Sequence, residues 1–214
     1  MRVRIPVRQH LAQTSEDDPA PYYYTRALRY PYRKRLQLAL NAMGGRRFDW
    51  LLEIGYGSGV FFPELARRCN RLVGVDLHRN GPRVRRMMDL EALSGHLGVA
   101  DVLELPFGGE TFEGVICLSV LEFIEDLERA MDEIHRVLEP DGMAVLGAPV
   151  LNRITGLAYE RLIGHRQHRE QHRSDHRRIL RLAEQRFSVL RAERFVRCLP
   201  LDYAFFFCVA CRKN

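Results

Sequence analysis

Leu52-Glu53-Ile54-Gly55-Tyr56-Gly57-Ser58-Gly59 is the stretch that decides the fold. It closes a short apolar run, Phe48 to Ile54, which suits a buried strand. Ser58 to Arg68 then reads as a helix. Glycines between a strand and a helix permit a tight turn and let a ligand approach the backbone closely. The spacing is G-x-G-x-G. A dinucleotide fingerprint, G-x-G-x-x-G, needs its third glycine where Val60 stands, and a phosphate-cradling P-loop needs a following Gly-Lys-Ser/Thr. The chain has neither.

Working outward, the pattern alternates. Tyr22 to Met43 has helical spacing, with Pro31 expected to divide it and Gly44-Gly45 to stop it. Arg71 to Val75 is a second strand ending at Asp76, and Pro82 to Leu93 a second helix. His96 to Ala100 is a third strand ending at Asp101, and Phe112 to Leu118 a fourth. Asp126 to Leu138 is a third core helix, closed by Pro140-Asp141-Gly142, and Met143 to Ala148 a fifth strand. Such alternation predicts an α/β fold, a doubly wound and mostly parallel sheet with helices on both faces. Residues 152–184 are polar and largely helical. Phe187 to Phe195 and Tyr203 to Cys211 read as two directly joined strands, hence an antiparallel pair at one end of the sheet. Residues 1–20 read as irregular, with Glu16-Asp17-Asp18-Pro19 as a linker.

The first three strand ends face one crevice. Asp76 stands where a carboxylate accepts from both hydroxyls of a ribose. Asp101 stands where it accepts from an adenine amino group. Alone, each glycine is an ordinary turn and each aspartate an ordinary helix cap; their order along the chain carries the reading.

At this point the chain resembles the class I S-adenosylmethionine-dependent methyltransferases, of the small-molecule, methyltransferase domain 11-like type. The resemblance covers roughly residues 48–150. It rests on the glycine stretch, Gly74-Val75-Asp76, Ala100-Asp101-Val102, Leu105-Pro106-Phe107, Thr111-Phe112-Glu113, Leu121-Glu122-Phe123-Ile124-Glu125-Asp126 and Leu138-Glu139-Pro140-Asp141-Gly142. It implies a Rossmann-like seven-stranded sheet in a single domain, with the last strand inserted antiparallel. It implies S-adenosyl-L-methionine as cofactor and S-adenosyl-L-homocysteine as product. The implied cofactor-binding residues are Glu53, Gly55, Tyr56, Gly57, Gly59, Asp76, Leu77, Asp101, Val102 and Leu118. Of these, Gly55, Gly57 and Gly59 would approach the methionine part, Asp76 the ribose, and Asp101 with Val102 the adenine. Glu53 would orient the loop and the cofactor's amino group. Two departures stand out. Phe123 occupies a position where many relatives have histidine, which removes one candidate base, and Glu113 replaces aspartate and is expected to cap or face solvent.

Length and composition bound the rest. The chain has 214 residues, 46% hydrophobic and 28% charged, ordinary values for one globular domain. No apolar run approaches a membrane span, and no secretory leader is apparent. Five cysteines scattered through apolar segments read as reduced thiols in a cytoplasmic protein. The Cys208–Cys211 pair lies in a strand-like run and reads as core. Of the 33 cations, 31 are arginine. Residues 1–50 carry net +6, residues 51–150 net −8, and residues 151–214 net +8. The organisation expected is a helical lid segment at 1–45 and the methyltransferase domain at 46–214, with 151–185 as a substrate cap.

Methyl transfer from a sulfonium needs positioning and exclusion of water, and a base only for a protonated acceptor. Any base is expected in the covering segments, with His168 and His172 as candidates. Tyr24 or Tyr30 is expected to close over the cofactor. His165, His168, His172 and His176 would share one helix face, but Ser174-Asp175 reads as a helix cap that splits the row, so no metal is expected. The basic ends suggest a small anionic acceptor. They also permit a nucleic-acid methyltransferase, although Leu118-Ser119-Val120 stands where base-amino enzymes carry an Asn/Asp-Pro-Pro-aromatic motif. Phe123 leaves room for a non-catalytic cofactor-binding protein. Oligomeric state is not legible.

Overall fold

The computed structural model describes residues 3–16, 18–150, 173–195 and 200–214. Seven strands form one sheet: β1 (Phe48–Ile54), β2 (Cys69–Asp76), β3 (His96–Val99), β4 (Phe112–Leu118), β5 (Leu138–Pro149), β6 (Phe187–Arg194) and β7 (Phe206–Lys213). Their order is β3-β2-β1-β4-β5-β7-β6. The first five pair in parallel, while β7 lies antiparallel between β5 and β6. The order reverses between β1 and β4, and open α/β sheets place their ligand crevice at such a switch point.

Helices cover both faces, as strands buried on both sides require. The helices are α1 (Arg29–Met43), α2 (Phe62–Leu65), α3 (Gly81–Leu90), α4 (Leu127–Val137) and α5 (His176–Arg186). On one face Leu36, Leu40, Phe62, Val84 and Met87 pack against Leu51 and Ile116. On the other, Leu127, Met131, Ile134, Ile179 and Leu182 pack against Leu52, Val115 and Leu146. In α4 the buried Leu127, Ala130, Met131, Ile134 and Val137 recur at three- and four-residue spacing, which puts them on one stripe. Burying each large side chain contributes roughly 1.5–3 kcal/mol before entropy is subtracted. The Asp126 carboxylate caps α4 by accepting from the Arg129 amide at 3.1 Å.

Several expectations need correction. Pro31 does not divide a helix: it is the third residue of α1, in the first turn, where amides lack intrahelical partners and a proline costs little. A separate 3-10 turn spans Ala20–Tyr23. The helix expected over 58–68 shrinks to Phe62–Leu65, because Phe48 already takes the Arg68 carbonyl and Cys69 into the sheet. The turn at 139–142 interrupts β5 rather than preceding it: the β4 pairing skips from Phe112–Leu138 to Gly114–Met143, and Asp141 has φ +59°. Glu113 is half-buried, and its Oε2 accepts from the Asp49 amide at 2.7 Å, which ties β1 to β4. Asp175, not Ser174, caps α5, accepting from the Arg178 amide at 2.8 Å.

The N-terminal segment is no linker. It lies across α2 and α3, held by side chains that take its amides. Glu64 Oε1 accepts from Arg4 N at 2.6 Å, and Glu91 Oε1 accepts from Val7 N at 2.7 Å. Asn80 Nδ2 donates to the Thr14 carbonyl at 2.6 Å. Buried Asp18 accepts from the Thr14 amide and hydroxyl, both at 2.8 Å, and from the Ala20 amide at 3.0 Å.

Candidate active site

A cavity of about 670 Å³ opens at the carboxyl ends of β1, β2 and β4. Its floor is the glycine loop. Gly55 and Gly57 have φ +75° and +51°, conformations that L side chains rarely adopt. At Gly55 a Cβ would stand 2.1 Å from Val120 Cγ2, so the loop packs on the segment after β4 with no room to spare. At Gly57 a Cβ would meet nothing within 4 Å; that backbone faces open space in the cavity.

The end of β2 holds the loop in place. Asp76 Oδ2 accepts from the Gly57 amide at 2.8 Å, and Oδ1 accepts from the His78 amide at 3.2 Å. His78 Nε2 donates to the Gly57 carbonyl at 2.8 Å, and its Nδ1 accepts from the Asn80 amide at 3.2 Å. These two bonds together specify a neutral ring with its proton on Nε2. His78 also packs edge-on against Tyr56. Sequence reasoning missed it because one histidine after a strand carries no spacing signal.

Glu53 lies at the end of β1, 6% exposed, and its Oε2 has no hydrogen-bond partner. Burial pushes its carboxyl well above the ordinary range, and the neighbouring Asp76 charge adds to the effect. The Tyr56 hydroxyl is likewise buried without a partner, and burial raises it to about 12. Among the other residues singled out, Leu77, Val102 and Leu118 line the cavity. Asp101 and Gly59 do not. Asp101 Oδ1 accepts from the Leu103 amide at 2.9 Å, beside lining residues Ala100 and Val102. Gly59 is a packing glycine, where a Cβ would stand 2.8–2.9 Å from Met87, Phe62 and Val84 side chains.

The roof comes from the N-terminal segment and α1. Thr14, Ser15, Asp18 and Pro19 line the cavity, and Ser58 Oγ donates to Asp18 Oδ1 at 3.3 Å across the crevice. The tyrosines that this roof contributes to the lining are Tyr23 and Tyr32, not the expected pair. Tyr24 turns away and donates to the Pro6 carbonyl at 2.6 Å, while Tyr30 is exposed and packs edge-on against Phe195. Arg35 reaches the cavity from α1, over the rings of Tyr32 and Phe206 at 4.9 and 5.1 Å. His165, His168 and His172 lie outside the described residues. His176 is buried and pairs with Asp202 at 2.9 Å. Cys208 and Cys211 are buried free thiols in β7.

Residues 52–146 match the family model described as methyltransferase domain. This stretch is a methyltransferase domain. The sheet order above is the Rossmann-like fold, mostly parallel with its last strand antiparallel. Phosphatidylethanolamine N-methyltransferase of Cereibacter sphaeroides is 32% identical over 118 residues, covering 53% of this chain and 55% of that protein. The ubiquinone biosynthesis O-methyltransferase of Alkalilimnicola ehrlichii is 31% identical over 124 residues, covering 56% and 48%. The chain thus spans about half the length of the curated relatives it matches. The solved N-methyltransferase NodS of Bradyrhizobium japonicum, in complex with S-adenosyl-L-homocysteine, is 22% identical. It covers 94% of this chain and 95% of its own at a TM-score of 0.66.

The cavity of the methyltransferase domain fits a sulfonium nucleoside on its own geometry. The open side of Gly57 leaves room for a ligand against the backbone. Glu53 Oε2 lacks a donor that an ammonium would supply. Four acidic side chains line the cavity, those of Asp18, Glu53, Asp76 and Glu122, and burial holds Glu53 and Glu122 toward their neutral forms. No helix among the described residues is long and apolar enough to cross a membrane.

Proposed function

We propose that this chain transfers a methyl group from S-adenosyl-L-methionine to a small-molecule acceptor. The observation that carries the reading is the crevice at the switch point, floored by the Gly55–Gly57 turn and roofed by the N-terminal segment. The bound cofactor supplies an activated methyl on a positively charged sulfur. The chain's own residues bind, orient and exclude water. Asp76 keeps one lone pair per oxygen for ribose hydroxyls after holding the loop. Glu53 takes the cofactor's ammonium. Ala100 and Val102 flank the adenine, with Asp101 beside them. Thr14, Ser15, Asp18 and Pro19 close the roof, which keeps water from the reacting centre.

The size and cover of the cavity support a small acceptor over a polymer. An anionic acceptor rests, within the described lining, on Arg35. The four acidic side chains of the same lining support an acceptor group that donates a hydrogen bond. The test is incubation of the purified protein with S-adenosyl-L-methionine and a panel of amines, phenols and carboxylates. Release of S-adenosyl-L-homocysteine that depends on an amine or phenol is the expected result. Binding without turnover by any acceptor would favour a non-catalytic cofactor-binding protein. Turnover only with RNA would favour a nucleic-acid methyltransferase.

A further inference from the structure

The cavity has two halves. One lies over the ends of β1 and β2 and the residues after β3. The other lies over the ends of β4 and β5, where Ser119, Glu122 and Pro149 line it, and the charge of Arg35, from α1, acts on Glu122. In this second half the polar groups are unfinished. Glu122 is 2% exposed, in the 3-10 turn that follows β4. Its backbone is firmly held: the carbonyl accepts from the Arg173 and Ser174 amides at 2.8 and 3.1 Å, and Ser174 Oγ donates to the Ile124 carbonyl at 2.9 Å. Its carboxyl is not, for Oε2 has no hydrogen-bond partner. Ser119 Oγ is buried without a partner too, on a residue with φ +57°. Native proteins rarely leave buried polar atoms unsatisfied, and two beside one cavity mark a place where a ligand supplies the partner. A non-glycine residue at positive φ next to them is the kind of strain that collects at functional sites.

We propose that Glu122 receives the nucleophile of the methyl acceptor, and that this nucleophile is an amine. This rests on the methyl-transfer reading above. The amine enters with its lone pair toward the methyl group and donates an N–H to the Glu122 carboxylate. The nitrogen–carbon bond forms as the carbon–sulfur bond breaks, its electron pair returning to sulfur as a neutral thioether. The N–H proton passes to Glu122, which leaves the step as a neutral acid. An amine brings the N–H that the orphaned Glu122 Oε2 lacks, which neither an apolar group nor an anion supplies. Burial raises the Glu122 carboxyl to about 8, softened by a hydrogen bond from its own backbone amide and then by the positive charge of Arg35, a value suited to a base working near neutral pH.

The experiment uses three conjugates of S-adenosyl-L-homocysteine in which nitrogen replaces sulfur and carries a propyl, 3-aminopropyl or 2-carboxyethyl arm. Their binding is measured by calorimetry against S-adenosyl-L-homocysteine itself. The native protein should bind the aminopropyl conjugate at least about tenfold more tightly than the propyl one. Glu122→Gln should bring the two within about threefold while leaving S-adenosyl-L-homocysteine binding unchanged, which also reports that the variant folds. Glu122→Asp, which keeps the charge, should retain part of the preference. Binding of S-adenosyl-L-homocysteine with no arm preference, with the carboxyethyl arm preferred, or with a preference untouched by Glu122→Gln overturns this inference alone. No binding of S-adenosyl-L-homocysteine to the native protein overturns the methyl-transfer reading and this inference with it.

Discussion

Asp76 Oδ2 accepts a hydrogen bond from the Gly57 amide at 2.8 Å, so the carboxylate ending β2 sets the turn that ends β1. His78 holds the other side of the same peptide through the Gly57 carbonyl at 2.8 Å. The floor of the crevice is therefore built before any ligand arrives. Pre-organisation of this kind lowers the ordering cost of binding.

The two glycines of that turn should separate folding from binding. Gly55→Ala drives a methyl into Val120 at a positive φ and should destabilise the fold by about 2–4 kcal/mol. Gly57→Ala meets no atom, so it should cost only about 1–2 kcal/mol of backbone strain yet abolish most cofactor binding. Denaturant melts and ligand titrations on both variants check this. Equal loss of stability in the two would show that the space beside Gly57 is not open.

Asp18→Ala should loosen the roof. The carboxylate satisfies the Thr14 and Ala20 amides and reaches Ser58, so its removal should cost about 1–3 kcal/mol. Amide hydrogen exchange over residues 3–16 should accelerate ahead of exchange in the sheet. Unchanged protection there would mean the segment is held by Asn80, Glu64 and Glu91 alone.

Glu122 gives the stability a pH dependence of definite sign. Its folded carboxyl titrates at about 8, against an ordinary 4.5, so the folded state binds its proton more tightly than the unfolded chain. Stability should therefore fall as pH rises from about 5 through 8. The charged and titratable groups acting near it are Arg35, which opposes the shift, the buried Cys117 thiol, and Glu53, which is raised in the same direction. Glu122→Gln should flatten the decline, and the variant's advantage over the native protein should be larger at pH 9 than at pH 5. Parallel curves for the two proteins would place the Glu122 carboxyl in contact with solvent.

The sheet was legible because its signals are local. The apolar runs at 48–54 and 112–118 coincide with β1 and β4, and α4 begins one residue after Asp126, where the third core helix was expected to start. The roof was not, because it depends on partners far away in the chain. Asp18 reads as part of an acidic linker until Ser58 and the Thr14 amide are seen beside it. Tyr23 and Tyr32 could not be told from Tyr24 and Tyr30 by composition, since all four sit in one aromatic cluster and only the turn before α1 sorts them. Glu122 was quoted for its motif, but its missing partner is visible only in three dimensions.

The central claim is that Asp76 and the glycine turn hold S-adenosyl-L-methionine or its product. Calorimetric titration of S-adenosyl-L-homocysteine into the native protein and Asp76→Ala tests it most directly. The account predicts one-to-one binding to the native protein, weakened by about 1–3 kcal/mol in the variant. No binding to the native protein, or equal affinity in both, would contradict it.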